Sequence, residues 1–270
     1  MLNDITFGQY FVGNSIIHRL DARIKLVLLI FLIVLLFVAA NMFSLGLCTA
    51  LILGIMLASK IPFRLYLKNI KVIIPIILFT AILNVIYTKT GTALFSVFDW
   101  FTVWSDGVLR AVFVALRVLL LIIISSVLTY TTTPNDLTYA IEKLLKPLSL
   151  IGLGEPVHIM SMMMTIALRF IPTLIEETEK IINAQKARGA DIDSGGIIKK
   201  IKALLPIIIP LLLSSVKRAL ELAEAMESRC YNGGKGRTRL RQMRMQLRDY
   251  ISLIFAAFSL ASVILINIYF

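Results

Sequence analysis

Charged side chains along this 270-residue chain gather into a few stretches, and the long intervals between them are apolar. From Leu26 to Ser59 no residue is charged, which is 34 positions, or about 51 Å as one helix at ~1.5 Å per residue. A bilayer's hydrocarbon core is about 30 Å thick, so one crossing is too few and two are slightly short. The flanks decide. Arg19, Arg23 and Lys25 precede the run, and Lys60, Arg64, Lys68 and Lys71 follow it. Cationic flanks favour the cytoplasm, so the chain should cross out and back, turning near Asn41–Ser44. A third apolar run is Val72–Thr88. The next stretch, Lys89–Asp106, is poor in positive charge and reads as external. Gly107–Tyr130 then returns inside, and Tyr250–Phe270 ends outside. No small-residue cleavage pattern follows Leu26–Ala40, which reads as an uncleaved anchor.

The interval Thr131–Arg248 differs. It holds 18 of the 28 basic residues and 11 of the 16 acidic ones, yet contains two apolar runs, Pro156–Leu168 and Ala203–Val216. Runs this short are more often buried or interfacial than spanning. If both crossed, Arg169, Lys180, Lys186, Arg188, Lys199, Lys200 and Lys202 would lie outside, against the positive-inside tendency. The interval is therefore expected to be cytoplasmic and partly interfacial. The expected architecture is an all-α integral membrane protein of about five transmembrane helices. Residues 1–130 carry the first four, 131–248 form long crossing helices, and 249–270 form the last.

Composition agrees. The chain is 58% hydrophobic and only 16% charged, whereas a soluble domain is roughly 25% charged. The net charge of +12 fits positive cytoplasmic loops. Two cysteines cannot build a disulfide framework, and Cys48, inside an apolar run, reads as a small hydrophobe.

Two long helices are expected in the interval, from Pro156 to Arg188 with a stop at Gly189, and from Ile197 to Arg229 with stops at Asn232–Gly234. Pro172 should kink the first, and Pro206 and Pro210 should interrupt the second. Leu174, Thr178, Ile181 and Gln185 trace one face of the first; Val216, Leu220, Ala223 and Met226 trace one face of the second. Ala184, Ala187, Ala219, Ala223 and Ala225 would allow close approach. The ends match: Ala184-x-x-x-Arg188-Gly189 is repeated 41 residues later as Ala225-x-x-x-Arg229-Cys230. Small residues flank each arginine, Ala187 and Gly189 in one case, Ser228 and Cys230 in the other. Such a guanidinium can serve the helix dipole or be inserted into a partner's groove.

With these motifs the chain resembles the transmembrane T component of energy-coupling factor (ECF) vitamin transporters, the EcfT/CbiQ family. The resemblance covers nearly the full length. It rests on His18-Arg19-Leu20-Asp21-Ala22-Arg23-x-Lys25, Thr132-Thr133-Pro134-x-Asp136-Leu137, Leu168-Arg169-Phe170-Ile171-Pro172, and the two arginine ends. Ala22 stands where the family often has Pro, and Cys230 where it often has Gly. The resemblance implies a non-catalytic scaffold in the bacterial cell membrane. It would couple two cytoplasmic ABC-type ATPases, docked through Arg188 and Arg229, to a membrane-embedded S component that binds a vitamin or other micronutrient. ATP and Mg would be bound by the ATPases, and this chain would hold no cofactor and no metal. It carries no G-x-x-x-x-G-K-[ST] loop; Gly233-Gly234-Lys235-Gly236-Arg237-Thr238 has the wrong spacing.

Other classes fit less well. A membrane enzyme needs convergent acids, bases or ligands, and His18 and His158 stand far apart without an evident ligand set. Asp191 and Asp193 read as a solvated loop, and Glu176/Glu177/Glu179 and Glu221/Glu224/Glu227 as solvated faces. Arg237, Arg239, Arg241, Arg244 and Arg248 crowd together, but with Leu240, Met243 and Leu247 they read as a lipid-headgroup segment, not a nucleic-acid site. Arg117 lies deep in an apolar run, with Arg110 seven positions earlier. It is either a functional intramembrane group or a structural hydrogen-bonding one. Met160, Met162, Met163 and Met164 form an adaptable apolar surface suited to packing or to an S-component contact.

Overall fold

The computed structural model describes residues 10–97, 101–147, 152, 154–190, 196–233 and 245–269, with backbone alone for 93–97, 101–103 and 197–201. The chain is helical: α1 Ala22–Val38, α2 Met42–Ser59, α3 Phe63–Tyr87, α4 Ser105–Thr131, α5 Pro134–Leu145, α6 Gly154–Ala187, α7 Ile197–Glu227 and α8 Leu247–Tyr269. Between α3 and α4, strands β1 (Ala93–Val97) and β2 (Phe101–Trp104) pair antiparallel, inside the stretch expected to be an external loop. The pleated segments are rich in aromatic and β-branched residues, the ordinary strand signal. Asp191, Asp193 and Arg237, Arg239, Arg241 and Arg244 lie outside the described residues.

Six helices are long and apolar enough to cross a membrane: α2, α3, α4, α6, α7 from Lys202, and α8. The expectation was five. α1 has 17 residues, about 26 Å, the lower limit for a crossing. The difference arises because the short runs expected to be interfacial, Pro156–Leu168 and Ala203–Val216, belong to helices of 34 and 31 residues.

One compact unit comprises Gly8–Ala140 and Gln242–Phe270. α4 runs through its middle, burying Leu120, Ile123, Ile124, Val127 and Tyr130 among Leu35 and Leu36 of α1 and Leu45, Cys48 and Ile52 of α2. Asp21 caps α1 by accepting the Arg23 N–H at 2.9 Å. Thr133 caps α5, its hydroxyl accepting the Asp136 N–H at 3.1 Å, with Pro134 at the first helical position, where a missing N–H is harmless. The turn between α1 and α2 falls at Ala39–Asn41, and Ser44 Oγ accepts the Asn41 N–H there. Two distant side chains close that end of α1. Arg117 donates to the Ala39 carbonyl at 2.7 Å, and Asn267 donates to Val38 at 2.7 Å. The last carbonyls of a helix lack intrahelical donors, and these two side chains supply them. Arg117 also lies against the faces of Phe113 and Phe37, 4.7 and 5.7 Å from the ring centres.

The second unit comprises Ile141–Arg241, with α6 and α7 as its main elements. They lie antiparallel. Gln185 reaches Pro206, Glu177 reaches Ser214 and Arg218, and Met162 receives the Tyr231 hydroxyl. Neither helix breaks at its prolines, contrary to the interruption expected at Pro206 and Pro210. Pro210 leaves the carbonyl four residues back, that of Pro206, without its helical donor. The Gln185 side-chain amide donates to that oxygen at 3.3 Å.

Candidate functional site

The ends of α6 and α7 are built alike. After α6, the Gly189 N–H donates to Lys186 at 3.0 Å and the Ala190 N–H to Gln185 at 3.0 Å. After α7, the Cys230 N–H donates to Glu227 at 2.8 Å and the Tyr231 N–H to Met226 at 3.0 Å. Both are Schellman closures, in which a residue with positive φ turns the chain off the helix. Gly189 has φ +84° and Cys230 φ +55°. Arg188 and Arg229 therefore occupy the same position, the last residue before the left-handed one. Both are exposed, as are Ala187, Gly189, Ser228 and Cys230. Neither arginine has an ion-pair partner among the described residues. Each is a forked donor held on fixed backbone and open to an incoming acceptor.

Because α6 and α7 run antiparallel, the two ends lie apart. Pro206 sits beside Gln185, and from there to Arg229 is about 35 Å along α7 at ~1.5 Å per residue. Beside Arg229 a cleft of about 550 Å³ is lined by Met162 and Arg169 of α6 and by Met226 and Tyr231. Met162 is half-buried there, while Met160, Met163 and Met164 are exposed. Arg110 is exposed near the start of α4.

The seam between the helices differs from the expectation. Leu174, Thr178, Ile181 and Gln185 are half-buried on α6. On α7, however, Val216 and Leu220 are 52% and 60% exposed, and Ala184, Ala187, Ala219, Ala223 and Ala225 are all exposed. α7 instead turns Ser214 and Arg218 to α6, with Leu211 and Leu222 half-buried on the same side. Glu177, read as solvated, is the centre of this seam. It accepts from Arg218 at 2.7 and 3.1 Å and from the Ser214 hydroxyl. The polar pairing rotates α7 and leaves Leu204, Ile208, Leu212, Val216 and Leu220 facing outward as a stripe at four-residue spacing.

The motif before α1 is also organised, but inward. Asp21 accepts Arg23 Nη2 at 2.6 Å, and the Asp21 N–H donates to Asp249 Oδ1 at 3.0 Å. Burial opposes ionisation of Asp21, yet the bonds from the Arg23 side chain and N–H outweigh it and hold the carboxyl below its usual range. Asp249, 2% exposed, also accepts the Gln246 N–H at 2.7 Å. Lys25 donates to the Thr131 carbonyl at 2.8 Å, which joins the α1 motif to the one at Thr132–Leu137. Asp249 escaped the sequence reading; its signal was a lone acid where the last apolar run begins.

Known proteins share this arrangement of sequence. Residues 13–240 match the CbiQ family, described as cobalt transport protein. Over 93% of this chain and 93% of its relative, it is 48% identical to an energy-coupling factor transporter transmembrane protein EcfT of Clostridium kluyveri. The EcfT of Brevibacillus brevis is 49% identical over 93% of this chain and 94% of that protein. That of Bacillus subtilis is 42% identical over 90% and 91%. The chain belongs to the CbiQ family and is the T component of an ECF transporter, a multi-pass protein of the bacterial cell membrane.

Proposed function

We propose that this T component couples two cytoplasmic ATPases to a substrate-binding S component, with Arg188 and Arg229 as the two points of attachment. The observation that carries this reading is the pair of identical helix closures, each presenting an exposed arginine with no ion-pair partner among the described residues, at opposite ends of one antiparallel helix pair. A separation of about 35 Å at ~1.5 Å per residue suits two partner surfaces better than one. Hydrolysis belongs to those partners, which hold the nucleotide and magnesium.

The charge pattern supports a cytoplasmic and interfacial place for residues 131–248. In the antiparallel register, the apolar run Ala203–Val216 of α7 lies alongside Glu176–Arg188 of α6, which carries six charges. A pair arranged so has no level at which lipid could surround both helices, since buried charge in a bilayer costs several kcal/mol. The outward apolar stripe of α7, with Met160, Met163 and Met164, is then the surface for the S component. Exposed apolar patches of this extent mark interaction sites, and methionine adapts to more than one partner.

The test is recovery of ATPase subunits with the tagged T component from native membranes. Arg188→Ala or Arg229→Ala should each weaken recovery, and the double substitution should abolish it along with substrate uptake. Lys should rescue poorly, because it lacks the planar fork. Full recovery and uptake in the double variant would refute the attachment role.

A further inference from the structure

Between α1, α2, α4 and α8 lies a cavity of about 460 Å³. From Lys25 to Leu32 it extends about 10 Å along α1 at ~1.5 Å per residue. Its walls are mostly aliphatic; Lys25, Thr131 and Ser252 lie toward one end and Ser259 further along, and both serine hydroxyls are already spent on carbonyls of α8 itself. There Lys25 is 7% exposed and Thr131 2% exposed. The Lys25 ammonium donates to the carbonyls of Thr131 and His18, at 2.8 and 3.3 Å, which leaves one of its three N–H donors without an acceptor among the described residues. The Thr131 hydroxyl has no partner among the described residues. Buried polar groups are ordinarily satisfied, and these two lie together on the wall of one cavity.

A long apolar wall with donors at one end matches a straight hydrocarbon chain that begins in a carbonyl. Among membrane helices such chains are the solvent. The charges select which chain. Asp136, Asp21 and Asp249 are all near enough to act on Lys25 electrostatically, so a free carboxylate would meet three acids as well as the ammonium. An ester carbonyl accepts from Lys25 and Thr131 without adding charge. We propose that this cavity holds one acyl chain of a membrane diacyl lipid, its ester carbonyl on Lys25 and Thr131 and its chain running toward Leu32 and Ile124.

The test uses the full chain in phosphatidylglycerol vesicles carrying a phosphatidylglycerol with a diazirine midway along one acyl chain, and separately a diazirine fatty acid. Mass spectrometry locates the cross-links. The lipid probe should label cavity-wall residues of α1 and α2, in addition to the exposed face of α3. Gly54 lines the cavity, and a Cβ added there meets nothing within 4 Å, so Gly54→Leu fills the space and should remove the labels at the wall residues Leu28, Leu29, Leu51 and Ile55 while leaving those on α3 and on the exposed Ile30 and Leu57. Thr131→Val keeps the shape and removes the hydroxyl; it and Lys25→Met should each cut cavity labelling about tenfold, the worth of one hydrogen bond to a polar or charged group. Labelling of those four wall residues unchanged by Gly54→Leu would overturn the proposal, as would stronger labelling there by the fatty acid than by the ester lipid. If Gly54→Leu does not fold, Gly54→Ala with Thr131→Val decides the matter, since undiminished labelling in both would equally overturn it.

Discussion

Two regions carry the motif arginines, aspartates and lysines of this chain, and they treat them in opposite ways. Before α1, the charges of Asp21, Arg23 and Lys25 are consumed internally, although Arg19 is exposed. Asp21 takes three side-chain bonds from Arg23, Asp249 binds two backbone N–H groups, and Lys25 binds two carbonyls. At the ends of α6 and α7 the backbone is closed just as firmly, but Arg188 and Arg229 are left exposed. A charge that is buried and satisfied specifies the fold, because an unpaired one there would be costly. A charge left open on an ordered turn contributes little to its own chain and is available to another. The difference lies in the partners each side chain finds, and motif strength alone does not reveal it.

The sharpest way to break this comparison is Asp249→Ala. It strips acceptors from two N–H groups, those of Asp21 and Gln246, at a site only 2% exposed. The buried Asp21 N–H left unsatisfied costs about 1–3 kcal/mol, and the bond lost from the N–H of exposed Gln246 adds about 1 kcal/mol, so a loss of about 3 kcal/mol in the bundle unit is expected. Thermal unfolding in detergent should show it as a clearly lower midpoint. The Arg188→Ala and Arg229→Ala variants, by contrast, should melt within about 1 kcal/mol of the parent, the scale of a helix-dipole contact. An equal loss in both regions would erase the distinction drawn between them.

Much of the bundle was legible because lipid and charge leave coarse marks. The uncharged runs placed α2, α3, α4 and α8, and Gly189 marked where α6 ends. The α6–α7 seam was not legible, for a physical reason. A hydrophobic face predicts a core only when water is the alternative. Here the outward side of α7 carries Leu204, Ile208, Leu212, Val216 and Leu220, and the inward side carries Ser214 and Arg218. The register rests on Glu177 and Arg218, 41 residues apart, which no local spacing reveals. Local spacing offers only Glu176 with Lys180, an (i, i+4) pair within α6. Arg117 resisted for a similar reason: its acceptor is a backbone carbonyl 78 residues away.

A smaller effect separates the two helix ends themselves. Gly189 and Cys230 serve the same left-handed position, with φ +84° and +55°. Glycine adopts that region freely, whereas a residue with a Cβ is strained there by about 1 kcal/mol or more. Cys230→Gly should therefore raise the stability of the second unit by about 1 kcal/mol, offset in part by the greater freedom of glycine in the unfolded chain. Recovery of ATPase subunits should stay unchanged, since Arg229 keeps its place. A variant that melts lower than the parent would show that the cysteine side chain makes contacts worth more than the strain.

The smallest effect probes the internally satisfied region through pH. His18 Nε2 lies 2.9 Å from the Phe11 carbonyl, which can only accept, so Nε2 carries the proton. Nδ1 then accepts the Ser15 hydroxyl at 2.7 Å. Gly13 packs on the ring so closely that an added Cβ would stand 3.0 Å from Cε1. Burial favours the neutral ring, the nearby Lys25 ammonium adds to that, and together they outweigh the Phe11 bond, so the imidazole titrates below its ordinary 6.5. The sign follows. The unfolded chain takes up the proton first, so stability falls as pH drops below 6.5 and levels off once the folded value is passed. Melting midpoints between about pH 7.5 and about pH 5, where histidine is the side chain that ordinarily changes charge, should decline more steeply in the parent than in His18→Asn. The asparagine keeps an amide for hydrogen bonding but cannot titrate, so its curve isolates the imidazole. Parallel curves would mean that His18 binds its proton equally in both states, and that the turn before α1 is held without regard to the ring's charge.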